Sequence, residues 1–188
     1  MSLRGIFCTG KLSLLRQKIG SKDQQLKNQI REKRGVKRII DAREEKAIDE
    51  VIDNGDLSSY AAPIVVDQIA LFCDEKMISE TDFRINGIDE IIGNLKDASA
   101  DQSIITLLEY LLNGRNPVTG KVWNSADYAF SYLTIDEAKK ILEYFSHIPE
   151  VVRDEIWDEL WVDMIEGELL KVCAQAVEHE CEVFFFFS

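Results

Sequence analysis

Proline is scarce in this chain, with three residues in 188, and histidine is scarcer, with two. The four cysteines, Cys8, Cys73, Cys173 and Cys181, are scattered, with no C-x-x-C pair and no grouped histidines. That pattern excludes a disulfide-stapled scaffold and a patterned zinc site, and it fits a reducing compartment. No apolar run is long enough to span a bilayer, and Met1 to Gly10 lacks the apolar stretch of a secretory leader. The expectation is therefore a soluble, cytoplasmic protein without membrane contact. Glycine-rich phosphate-binding loops are missing too. The segment Gly114 to Val122 (GRNPVTGKV) resembles one, yet five residues separate its glycines and Val122 stands where a Mg²⁺-binding Ser or Thr belongs. It reads instead as an Asn-Pro turn followed by a Thr-Gly turn.

What is present is enough apolar sequence, 46% of residues, for a substantial core, together with a 30% charged fraction that argues against wholesale disorder. The most specific signal is the end of the chain. Val183 to Phe187 is an unbroken apolar run (VFFFF). A strand with one face in water alternates apolar and polar residues, so a continuous run predicts a strand covered on both faces. An apolar-periodic helix at about 168–180 feeds it.

Further elements follow from periodicity and punctuation. Arg4 to Gly10 (RGIFCTG) predicts a first strand. Lys11 to Ile19 predicts a short helix, and Ser21 a cap for a second, very polar and peripheral helix to about Arg34. Asp41 to Asp53 and Ala62 to Lys76 predict helices, the latter core-forming with Pro63 in its first turn. Ile88 to Leu95 and Ser103 to Leu112 predict two more. Tyr128 to Leu133 reads as extended, and Thr134 with Glu137 forms a capping box for the next helix. A further helix from Glu150 to about Gly167 carries Trp157 and Trp161 on its apolar stripe. The predicted class is α+β: a mostly helical single domain, residues 1–188, packed on a small sheet that includes the N-terminal and C-terminal strands.

The net charge of −12 is unevenly distributed. Residues 1–46 hold 13 Lys/Arg against 5 Asp/Glu, and residues 47–188 hold 9 against 29, giving a +8 segment ahead of a −20 body. The basic part, about 11–46, has two readings: it folds back and neutralises part of the body, or it contacts nucleic acid. Its lack of interleaved aromatics and the repulsion from the body disfavour nucleic acid.

No catalytic constellation emerges. His147 and His179 make no metal pattern, Glu143 and His147 read as a surface pair, and a Cys-His dyad using His179 is only one of many pairings that few residues allow. No catalytic residue, metal or cofactor is expected. The partner-binding candidate is the acidic, Trp-bearing helix, with Asp154, Glu155, Trp157, Asp158, Glu159, Trp161 and Asp163. Tryptophan anchors binding hot spots, and acidic fields steer basic partners. The plain alternative is an amphipathic helix with tryptophans inward and carboxylates in water.

Tyr128 to Ala138 (YAFSYLTIDEA), Leu169 to Ser188 (LLKVCAQAVEHECEVFFFFS) and Gly5-Ile6-Phe7 resemble the corresponding features of the YfbM-like family of uncharacterised bacterial proteins. Ile19 to Asp23 with the Ala62 to Lys76 helix is similar to a second uncharacterised bacterial group. The resemblance implies a bacterial α+β fold and carries no catalytic residues. The expected function is protein binding, in the manner of an immunity-like inhibitor whose acidic surface masks a basic partner. Two alternatives stand beside it: a small-molecule-binding protein or enzyme with a pocket near the C-terminal strand, and nucleic-acid binding through the basic segment.

Overall fold

The computed structural model describes residues 4–37, 42–73, 79–98, 100–123, 129–148 and 162–187. In chain order its elements are β1 (Arg4–Gly10), α1 (Leu12–Lys18), α2 (Gln24–Lys37), α3 (Ala42–Asn54), α4 (Ala62–Cys73), β2 (Ser79–Arg84), α5 (Ile85–Asp97), α6 (Gln102–Asn113), β3 (Ala129–Leu133), α7 (Ile135–Ser146), a π-helical segment Val162–Leu169, α8 (Leu170–Glu178) and β4 (Glu182–Phe187). The four strands form one antiparallel sheet in the order β2-β1-β4-β3, so both terminal strands are central. The fold is α+β, as the sequence predicts.

The phenylalanine run explains the architecture. Side chains alternate across a strand, and in β4 Val183 and Phe185 enter one core while Phe184 and Phe186 enter the other. On β1, Phe7 joins the first core and Cys8 the second. The first core is roofed by α5, α6, α7, the π-helical segment and α8, and the second by α1 to α4. Phe7 stacks on its cross-strand neighbour Phe185 with ring centroids 4.5 Å apart, and Phe130 on Phe184 at 5.5 Å. Burial of each phenylalanine contributes about 1.5–3 kcal/mol.

Helix ends are fixed by partners both local and distant in sequence. Thr134 and Glu137 form the predicted reciprocal capping box of α7. Helix α1 has no cap from Lys11; the Leu12 N–H donates instead to Glu182 Oε2 on β4 at 2.9 Å, which ties the helix start to the central strand and places a carboxylate at its positive end. Helix α2 departs from expectation in two ways. Its cap is Asp23, whose Oδ1 accepts from Leu26 N–H, whereas the Ser21 hydroxyl donates back to the Lys18 carbonyl and closes α1. Nor is it peripheral, because Leu26 and Ile30 are buried in the second core. The predicted helix over 150–167 lies outside the described residues up to position 161. Its described end is π-helical rather than α-helical, a wider winding that keeps Ile165 and Leu169 on the core side ahead of Val172, Cys173 and Ala176.

Candidate functional site

Asp154, Glu155, Trp157, Asp158, Glu159 and Trp161 lie outside the described residues. Asp163 belongs to the π-helical segment, which leads directly into α8.

The other sequence candidates are well placed for judgement. His147 caps the C-terminus of α7 in an exposed position, its Nδ1 lying 2.8 Å from Ser146 Oγ and 3.1 Å from the Glu143 carbonyl oxygen. Its contact with residue 143 is thus to backbone. His179 ends α8, also exposed. Cys8, Cys173 and Cys181 are buried, and burial pushes the Cys173 thiol up to about 12. A thiol so shifted supplies almost no thiolate near neutrality, which removes Cys173 from any nucleophile dyad. Among the described residues no group of His, Cys, Asp and Glu is arranged to hold a metal ion. Among them, too, no helix is long and apolar enough to cross a membrane.

Polar chemistry concentrates in two places. The first joins α2 to α3. Lys27 and Arg31, one turn apart on α2, face Glu45, Asp49 and Asp53, spaced by single turns on α3. Lys27 Nζ lies 2.8 Å from Asp49 Oδ1 and 2.7 Å from Asp53 Oδ2; Arg31 Nε lies 2.6 Å from Glu45 Oε1 and its Nη2 3.2 Å from Asp49 Oδ1. Lys27 is only 7% exposed. Hydrogen bonds donated to Asp49 and Asp53 raise the Lys27 pKa, and accepting from Lys27 lowers that of Asp49. The basic segment does fold back on carboxylates, and a nucleic-acid phosphate would have to displace them to reach Lys27 or Arg31.

The second is the segment the sequence offers as a phosphate loop. Gly114–Trp123 folds as a hairpin, with an Arg115–Val122 bridge and the Asn116 side-chain oxygen accepting from Val118 and Thr119 N–H. Gly120 closes it at φ 71°, a left-handed conformation suited to glycine. The Arg115 guanidinium is stacked between the rings of Tyr110 and Tyr132, 4.3 and 4.5 Å from their centroids. Its Nη1 donates to Glu137 Oε2 at 2.7 Å and to the Tyr132 carbonyl at 3.4 Å, and its Nε to the Gly120 carbonyl at 3.2 Å. Burial works against the Glu137 carboxylate, but Arg115 and the Thr134 N–H outweigh it and hold the group below the usual range. Arg16 and Trp123 pin the hairpin to the second layer, donating to the Pro117 and Leu57 carbonyls. These residues come from positions 16 to 137, so local motif reading misses their convergence; the Thr134-Glu137 capping box and the turns read in Gly114 to Val122 are the sequence signals that touch the cluster.

Charge on the surface is divided by layer. On the α5–α8 side Asp89, Glu90, Asp97, Asp101, Asp136, Glu143, Glu166, Glu178 and Glu180 are exposed, against exposed Lys96, Lys139, Lys140 and Lys171. On the α1–α4 side acids and bases are interleaved and bridged. No protein-family model matches the chain, and neither a curated protein nor a solved structure matches it.

Proposed function

We propose that this chain is a protein-binding protein, immunity-like in manner, that engages a basic partner through an acidic surface. The observation that carries the reading is the division of charge between the two helical layers. Lys18, Lys27, Arg31 and Lys46 are each bridged to carboxylates within the α1–α3 region. These four cations engage five carboxylates, so nearly all of the surplus of the −12 chain remains as carboxylate, and the described part of that surplus faces outward from α5 to α8. A net-acidic face of this kind accelerates and orients encounter with a basic surface and disfavours acidic ones. The acidic, Trp-bearing stretch Asp154 to Asp163 enters the sequence directly ahead of this layer's last helix and adds a candidate anchor. Membership of the YfbM-like family belongs to the same proposal and contributes architecture, not chemistry.

Charge reversal tests it. Asp158→Lys with Glu159→Lys, and separately Asp89→Lys with Glu90→Lys, are expected to weaken association with a basic partner and to flatten its salt dependence. Binding unchanged by both pairs would remove this face from the account.

A further inference from the structure

We propose that Asn113 is a site of self-modification, at which the Gly114 backbone nitrogen attacks the Asn113 side-chain amide and closes a succinimide at the root of the Arg115 hairpin. The inference is independent of the acidic surface. Three Asn-Gly pairs occur in the chain, Asn54-Gly55, Asn86-Gly87 and Asn113-Gly114. Such a pair favours ring closure, because glycine puts no side chain in the path of the reaction and its backbone turns freely. Asn86-Gly87 lies in the first turn of α5, where the helix runs on through both residues. The other two pairs end helices, and the two ends are held differently.

At the end of α3 the glycine is clasped. Gly55 N–H donates to the Val51 carbonyl at 3.2 Å and Asp56 N–H to that of Glu50 at 3.0 Å, while the backbone of Gly20 packs against Gly55. At the end of α6, Gly114 turns the chain at φ 77° and ψ 155°, and its N–H has no acceptor among the described residues. Gly114 is buried, and a covered N–H without a partner is unfavourable. Asn113 is exposed, its side chain tethered by one bond, from Nδ2 to the Glu109 carbonyl at 2.9 Å. The attacking nitrogen is therefore unengaged and the amide it attacks is lightly held. An imide nitrogen carries no hydrogen, so closing the ring also removes the orphan donor.

In the step itself the Gly114 nitrogen gives up its proton and bonds to Asn113 Cγ, the Cγ–Nδ2 bond breaks, and Nδ2 leaves as ammonia with that proton. Water then adds to either imide carbonyl and opens the ring to aspartate or isoaspartate. Isoaspartate lengthens the main chain by one methylene just ahead of Arg115, whose N–H on the Phe130 carbonyl and guanidinium between the two tyrosine rings depend on that spacing. Both hydrolysed products place a new carboxylate at the C-terminus of α6, where the helix dipole opposes it.

The test is incubation of the native full-length chain at mildly alkaline pH, with samples taken over time for peptide mapping by mass. Trypsin places the three pairs on separate peptides, 47–76, 85–96 and 97–115. Ammonia loss, or the acid formed after it, is expected first on the peptide carrying Asn113. Asn54 should lag it by roughly tenfold or more, since the bonds from Gly55 and Asp56 must open before that ring can close. In urea, with both helix ends gone, the two sites should react at similar rates. Asn113→Gln, whose longer side chain would have to close a larger ring, should keep its urea midpoint through the incubation while that of wild type falls. Reaction at Asn54 as early as at Asn113 in the native chain would overturn the proposal. So would a native Asn113 that stays unchanged while the unfolded chain reacts there, or a wild-type midpoint that falls no more than that of N113Q.

Discussion

Gly10→Ala is expected to destabilise the fold through a single ring. The backbone of β1 at Gly10 runs against Phe184 on β4, and an alanine Cβ there would overlap Cε2 of that ring while lying 3.0 Å from Cδ2 and 3.2 Å from Cζ. Phe184 is fully buried, with Phe130 stacked on it, so the ring has no solvent to turn into. Overpacking of this kind costs about 1–3 kcal/mol. The reduced unfolded-state entropy of alanine offsets about 0.4–1 kcal/mol of it. The net loss is about 1–2 kcal/mol, and at this chain length each kcal/mol lowers Tm by about 2–4 °C. Urea denaturation should show a lower midpoint at an unchanged m value. The mechanism is isolated by Phe184→Leu, which is destabilising alone but should recover part of the Gly10→Ala loss when the two are combined, with a coupling of about 0.5–3 kcal/mol. A Gly10→Ala midpoint equal to wild type, or strictly additive losses in the double variant, would refute the argument.

Lys27→Met should cost about 1 kcal/mol in urea denaturation, since it leaves Asp49 to Arg31 alone and strips Asp53 of its bridge, while both carboxylates keep partial access to water; a cycle with Asp53→Asn checks the coupling. Acid should erode stability in a defined window: Asp49 and Glu137 are held below their ordinary values of 3.8 and 4.5, so their contribution is full above those values and lost as pH falls through the depressed ones. Equilibrium unfolding from pH 6 downward checks this, and stability that rises below pH 4 would contradict it. A thiol reagent at neutral pH should leave Cys8, Cys173 and Cys181 unmodified in the native protein and label them on unfolding, with peptide mapping to separate them from Cys73.

The legible parts of this fold are those in which one local rule decides. A continuous apolar run has only one compatible setting in a small sheet, and β4 occupies it, between β1 and β3. The Thr134-Glu137 box announces α7 because both halves of the cap lie within four residues. Elsewhere several local choices are equal and tertiary contacts decide. Ser21 and Asp23 are both good caps; Asp23 wins where the Lys18 bridge and the fold of the preceding turn put it at the helix start. Strand β2, SETDFR, carries three charges in six residues and offers no apolar alternation strong enough to announce itself, and it forms at the sheet margin by pairing with β1. The Arg115 cluster was invisible for the same reason in larger measure, because its rings, carboxylate and carbonyls converge only after α6, β3 and α7 have packed. By contrast, the α2–α3 ladder was foreshadowed by the charge step near residue 46, one reading of which folds the basic part back onto the body.

The acidic-surface account is tested most directly by capture on tagged protein from native lysate, at low and at high salt, with nuclease treatment and mass spectrometry of what is retained. The account predicts a basic protein held in stoichiometric amount at low salt, released at high salt, insensitive to nuclease, and lost from the Asp158→Lys, Glu159→Lys variant. Retention of nothing beyond the untagged control, or of a partner indifferent to salt and to that variant, would contradict it.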